Sequence, residues 1–266
     1  MIRLIASDID GTLIKDSTPD MYPEMFQIIR ELKEKGIVFC AASGRQYASV
    51  RRVFHEVADD IAYIVENGAH IRYQGKDISI TPMRREHVEG IMAMLRPYYG
   101  ECETVISTAK GSLIESKNQE FLDLLTYGYR NSFRQVEDVL AEDEEIIKIA
   151  IYHKGSIREL GENTLIPAWK DKVKACMAGD EWVDFMDASV DKGNALKVLQ
   201  NYLGIDKSQT MAFGDNNNDI GMMLAAGESY AVENAVEEVK RAAGNICPGY
   251  EDKGVYHIIK KMLETY

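Results

Sequence analysis

The chain is short of cysteine, of histidine and of positive charge. Its four cysteines, Cys40, Cys102, Cys176 and Cys247, stand far apart without a CxxC pair, and its five histidines are equally dispersed. A zinc site therefore has little support, and Cys40, inside the apolar run IVFCAA, reads as an ordinary buried thiol. Against 43 Asp and Glu there are 31 Lys and Arg, a formal net charge of −12. Nucleic-acid backbones and anionic membrane surfaces demand concentrated Lys and Arg, so neither is expected as the main partner. A small anionic ligand remains open if local cations or a metal outweigh the global field. Long apolar runs are missing too: none reaches the length of a membrane span, and the opening MIRLIA reads as a strand and not as a leader. The expected compartment is a reducing cytoplasm.

What is there is a globular composition, 45% apolar and 28% charged over 266 residues, enough for one large domain or two of ordinary size. IRLIAS is followed by MYPEMFQIIRELKEKG, apolar at helical spacing and stopped by Gly36, then by the short strand IVFCAASGR and the helical QYASVRRVFHEV. Strand, helix, strand, helix is the pattern of a parallel sheet with crossover helices. One more strand and a hairpin turning at Gln74-Gly75 continue it. The rhythm resumes near the other end with a helix in DKGNALKVLQNYLGI, strand TMAFGD, helix NDIGMMLAAG, strand ESYAV and helix AVEEVKRAAG. Between them, from Met83 to Met186, strand pairs stand beside helices: a helix from Arg84 to Arg96, strands at ETVIS, SLIES and SFRQV, a helix from Gln119, the strong strand IIKIAIY, a helix from Ser156, and strands KVKACM and EWVDFM. We expect an α/β core of residues 1–82 and 187–266 with a mostly parallel sheet, interrupted by an inserted α+β domain at 83–186.

Two acids one residue apart, Asp8 and Asp10 in SDIDGTL, end the first strand. Strand alternation starts them off on one face with Ile9 turned inward, and such a pair persists only if a positive group is bound or one acid keeps its proton. Asp-x-Asp-Gly could equally serve as a turn, whereas a calcium loop lacks its further acids and closing Glu. The rest of the chain decides. ASGR at Ser43, DKGNAL at Lys192 and FGDNNND ending at Asp219 follow in order, and all but the lysine segment come where an apolar strand ends. The carboxyl ends of strands are where open α/β sheets bind ligands.

If that ligand is a phosphate ester with a metal, each piece has a task. Mg²⁺ is held by a few carboxylates, waters and a substrate oxygen, and Asp8 with Asp215 would supply the carboxylates. One Asp could act as nucleophile and another could move a proton. Ser43 with the backbone N–H groups of Gly44 and Arg45 would make an anion site where a helix begins, and Lys192 would offer a point charge.

DIDGTL, SGR, KG and GDNNND resemble the four motifs of the haloacid dehalogenase superfamily, specifically the Cof-type phosphatases whose large α/β cap lies between the second and third motifs. The resemblance covers the whole chain and implies a Rossmann-like core with a cap that sets substrate specificity. It makes Asp8 the nucleophile and Asp10 the general acid/base, with the Asp10 backbone carbonyl, Asp8 and Asp215 on Mg²⁺ and Asp219 as a ligand or its supporting partner. It gives phosphate to Ser43 and Lys192, puts Asn218 near the transferring phosphoryl group, and points Arg45 toward substrate. Asp at position 10 favours a phosphatase over a dehalogenase, which has no alkoxide to protonate. The expectation is a Mg²⁺-dependent phosphatase of small phosphorylated metabolites, sugar phosphates or phosphorylated cofactors, working through an aspartyl-phosphate. A phosphomutase with the same motifs and a non-catalytic sugar-phosphate sensor are the alternatives.

Overall fold

The structure is a computed structural model that describes residues 1–15 and 20–265. The chain divides into two units, Met1–Ser79 with Asp191–Tyr266, and Ile80–Val190. LIAS forms β1 (Leu4–Ser7), buried throughout, as a strand covered on both faces must be. α1 (Pro23–Glu34) starts on a proline, whose missing N–H is not needed in a first turn, and buries Met25, Phe26, Ile28, Ile29 and Leu32 along one stripe. β2 (Val38–Ala42), α2 (Tyr47–Val53) and β3 (Ala62–Val65) follow. β4 (His70–Tyr73) then runs antiparallel to β3 and reverses into β5 (Lys76–Ile80) through Gln74 and Gly75, both at positive φ, as a tight hairpin requires.

The second unit carries α3 (Arg85–Leu95), β6 (Glu103–Thr108), β7 (Gly111–Ile114), α4 (Gln119–Asp123), β8 (Phe133–Gln135), β9 (Ile146–Tyr152), α5 (Arg158–Leu160), α6 (Ile166–Trp169), β10 (Lys174–Met177) and β11 (Trp182–Met186). Its strands lie in the order β10-β11-β9-β6-β7-β8, antiparallel except for β7 beside β8. Ile106, Ile149, Ile151, Val183 and Phe185 make one apolar face with Val88, Ile91 and Leu95 of α3. Val105, Ile114, Ala150 and Tyr152 belong to the other face, packed with Phe121 and Leu122 of α4. The continuous helix read from Ser156 is a correction: α5 and α6 are joined by a wider turn at Gly161–Leu165. Gly161 lies so close to Met177 and Val183 that an added Cβ would come within 2.8 Å of both, and Pro167 opens α6, where it has no N–H to continue the ladder.

The first unit resumes with α7 (Lys192–Leu203), β12 (Thr210–Gly214), α8 (Ile220–Ala225), β13 (Glu228–Val232), α9 (Glu237–Ala242), β14 (Asn245–Cys247) and α10 (Gly254–Leu263). Among the described residues its sheet has the order β14-β13-β12-β1-β2-β3-β4-β5, parallel from β14 to β3. β1 therefore lies between β2 and β12, and the chain leaves its neighbours in opposite directions. That reversal opens a crevice at the carboxyl ends of β1 and β12.

The position of α7 relative to α8 follows from two glycines. A Cβ on Gly193 would come within 2.2 Å of the Gly221 carbonyl carbon, and one on Gly221 within 2.3 Å of Asp191 Oδ1. Asp191 is the N-cap of α7 and accepts from the backbone N–H groups of Gly193 and Asn194 at 2.8 and 3.1 Å. Gly193→Ala is expected to cost about 1–3 kcal/mol through overpacking against backbone, a fall in melting temperature of roughly 2–4 °C for each kcal/mol. Gly244→Ala, whose added Cβ would meet nothing closer than 3.8 Å, is the control. Equal melting temperatures for the two variants would remove the helix crossing from this account.

Candidate active site

Four strand ends and the first turn of α7 deliver the polar residues. Asp8 and Asp10 follow β1, Ser43 follows β2, Asn67 follows β3, Asp215 follows β12, and Lys192 is the first residue of α7. Gly11 makes the exit from β1 possible. It stands at φ +79°, and a Cβ there would lie 2.3 Å from Asp215 Oδ2.

Lys192 is fully buried and divides its ammonium between two acids, 2.5 Å to Asp8 Oδ1 and 2.7 Å to Asp219 Oδ1. The second oxygen of Asp219 accepts from the backbone N–H groups of Asp215 and Asn216 at 3.0 and 3.1 Å, which clamps the β12 loop. Asp215 Oδ1 accepts from Thr12 Oγ1 at 2.9 Å. Asp8, Asp215 and Asp219 each offer an oxygen within 4.8 Å of the others. Three carboxyls around one ammonium leave an excess of negative charge out of water, and the titrations record it. Burial first, then the Asp219 charge, push Asp8 well above the usual carboxylate range against the pull of Lys192. The same two causes push Asp215 up to about 6. Burial works to lower the Lys192 ammonium, yet Asp219 and Asp8 hold it above its ordinary value. An all-oxygen, charge-excess set of this kind fits a hard dication.

A second group joins β1 to the β2 loop. Arg45 grips Asp10 with two nitrogens, Nε on Oδ2 at 2.7 Å and a terminal nitrogen on Oδ1. In this structure Arg45 is thus turned to the other carboxylate of the motif. A third group surrounds Ser43, whose Oγ accepts from the Arg45 N–H at 3.1 Å and whose carbonyl accepts from the Asn67 N–H at 3.0 Å. The anion site read at a helix start needs correcting here, because α2 begins only at Tyr47 and the Arg45 N–H is already used inside the loop. Gly44 backs onto the Asn67 amide, which in turn accepts from Asn218 Nδ2 at 3.0 Å and links the β2, β3 and β12 loops.

Asn67 was not singled out in the sequence. It is buried at φ +57°, a backbone that Asn tolerates better than most residues, and its signal was the Asn-Gly pair after the apolar AYIVE. Asn234 was missed as well: its side-chain amide donates to the Gly11 carbonyl at 2.7 Å and steadies the turn after Asp10.

Comparison with known proteins agrees with this architecture. Residues 5–259 match the family described as haloacid dehalogenase-like hydrolase. A 5-amino-6-(5-phospho-D-ribitylamino)uracil phosphatase of Escherichia coli is 28% identical, over 99% of this chain and 97% of its own. A phosphoglycolate phosphatase of Methanopyrus kandleri is 25% identical over 99% and 98%. The crystal structure of a Eubacterium rectale protein superposes with a TM-score of 0.89 at 35% identity, covering 98% of this chain and 99% of that one.

The raised Asp215 carboxyl has a consequence for stability. A carboxyl whose pKa is higher in the folded chain than in the unfolded one penalises the fold when ionised, fully so above its folded value of about 6 and less as pH falls through it. In EDTA, Asp215→Asn is expected to raise the melting temperature at about pH 7.5, by roughly 2–4 °C for each kcal/mol relieved, and the gain should shrink toward about pH 4.5. A gain that stays constant across that range would assign it to packing.

Proposed function

Since the chain belongs to the haloacid dehalogenase-like hydrolases and is an enzyme of the phosphatase kind within them, we propose that it hydrolyses small phosphorylated metabolites, with Mg²⁺, through an aspartyl-phosphate on Asp8. The observation that carries this reading is the buried Asp8 carboxylate held at 2.5 Å by Lys192 among two further carboxyls. A structural ion pair needs one acid, and this ammonium is given three. Asp8, Asp215 and the chain around Asp10 are the groups that would hold Mg²⁺, with Asp219 supporting them through Lys192 and the β12 loop. When bound there, the ion supplies positive charge that offsets the excess carboxyls and the phosphoryl oxygens.

In the first half-reaction an oxygen of Asp8 forms a bond to phosphorus as the ester oxygen–phosphorus bond breaks, and Asp10 gives its proton to the departing alcohol. In the second, Asp10 takes a proton from water, the water oxygen attacks phosphorus, and the bond to Asp8 breaks to release inorganic phosphate. Lys192 keeps Asp8 in place and offers its charge to the phosphoryl oxygens, Ser43 and Asn218 bind those oxygens, and Arg45 orients Asp10 through its two hydrogen bonds. Residues 80–190 would select the leaving group. The net charge of −12 sets a repulsive field against phosphorylated macromolecules, which favours metabolites such as sugar phosphates or phosphorylated cofactors.

The test is release of free phosphate from a panel of metabolite monoesters, with Mg²⁺ and with EDTA. Asp8→Asn should fold and release nothing, because an amide of the same shape cannot attack phosphorus. Release at the parental rate by the folded variant, or full activity in EDTA, would overturn the corresponding assignment. A phosphomutase would isomerise the ester and retain its phosphate. Asp10→Asn should slow a sugar phosphate by roughly 10²–10⁴ and p-nitrophenyl phosphate far less, since a nitrophenolate leaves without a proton. Equal losses on both would remove Asp10 from the proton-transfer role.

A further inference from the structure

The second unit holds a buried polar cluster that the hydrolysis leaves unused, and we propose that Lys148, Asp184 and Ser107 bind the leaving group of the ester, which is a sugar or another polyol. The inference rests on the phosphatase reading and adds the substrate class to it. Sheet register defines the cluster. Lys174, Met186, Lys148, Ser107 and Ser112 are successive cross-strand partners from β10 to β7, so they form one row on one face of the sheet. Asp184 lies in the next row on the same face, opposite Ala150. Beyond it the face turns apolar and is covered by α4, with Phe121 stacked on Tyr152. The face is therefore built in two halves, and only one of them is filled by hydrophobic packing. Met186 is fully buried and yet belongs to none of the apolar clusters.

Two features of the polar half point to a ligand. Lys148 and Asp184 are 8% and 5% exposed, and their charges meet at 3.6 Å, well beyond a direct charge-assisted hydrogen bond. Ser107 is 1% exposed, and its Oγ has no hydrogen-bond partner among the described residues. A buried hydroxyl left so is uncommon in native proteins and costs free energy until something bonds to it. The chemistry of the group narrows the occupant. An ammonium donates, a carboxylate accepts and a serine does both, which suits adjacent hydroxyls that each donate and accept. The two charges cancel, so a second phosphate would meet Asp184 and a cation would meet Lys148. A neutral polyhydroxylated chain or ring satisfies all three side chains at once.

The measurement is kcat/KM for sugar and polyol monophosphates, from glycerol phosphate to hexose phosphates, relative to p-nitrophenyl phosphate. The parent should prefer its best hydroxylated ester. Lys148→Met and Asp184→Asn should lower that preference by about ten- to a hundredfold, the worth of a hydrogen bond to a charged group. Ser107→Ala should lower it about two- to tenfold without lowering the melting temperature, because it removes an unbonded buried hydroxyl. Loss of rate on all esters in equal proportion, with the preference intact, would make the cluster structural and overturn the inference. A parent that releases phosphate but does not prefer hydroxylated esters would overturn it too, with the phosphatase reading left standing. A parent that releases phosphate from no ester would remove that reading and the inference with it.

Discussion

Everything at the end of the core sheet turns on one ammonium. Lys192 reaches Asp8 and Asp219 with no exposed surface of its own, and a charge so placed is tolerable only while its partners are held at bonding distance. The elements around it serve that placement: Asp191 caps α7 so that Lys192 is its first residue, and the Gly193–Gly221 approach brings α7 against α8, just past Asp219. Asp219 then passes the constraint on through its second oxygen to the backbone of Asp215 and Asn216. A buried pair of this sort is weak evidence of stabilisation, since apolar residues of the same volume often serve the fold better. Its retention here makes sense as a way of fixing a carboxylate for chemistry.

The two units manage polar burial differently. In the core, polar side chains gather where strands end, and the sheet behind them is apolar through β1, β2 and β3. In the second unit the polar groups sit in the body of the sheet, on β6, β9 and β11, opposite a face that is apolar throughout. A sheet face that departs from hydrophobic packing part-way along its strands is a departure from what stability alone would select.

Much of this was legible in the sequence because the signals were local. Apolar runs ending in Asp, Ser or Gly gave the strand ends, and the order of Asp8, Ser43, Lys192 and Asp215 along the chain placed them together before any contact was known. The residues that escaped are those whose role exists only after folding. Asn67 and Asn234 act through single hydrogen bonds to distant loops, and Gly193 and Gly221 matter only because two helices cross there. Arg45 could not be assigned either, since its partner Asp10 lies 35 residues away. β14 and α10 went unread for a different reason. Three residues are too few to show a strand period, whereas Val255, Ile259 and Leu263 carry a helical spacing that could have been recognised.

The sheet pairs Leu4 with Thr210, so the first strand made is completed by one of the last. At synthesis rates of about 5–20 residues per second, β1 would wait roughly 10–40 s on one side before its partner emerges. During that interval its backbone groups and the apolar side chains of β2 and β3 form an open edge, the sort of surface that recruits chaperones or other chains. Local contacts form within the second unit in the meantime, because its strands are close in sequence. The order of assembly would thus be the reverse of the order of dependence: the inserted unit folds early, and the chemistry appears only when Lys192 closes onto Asp8.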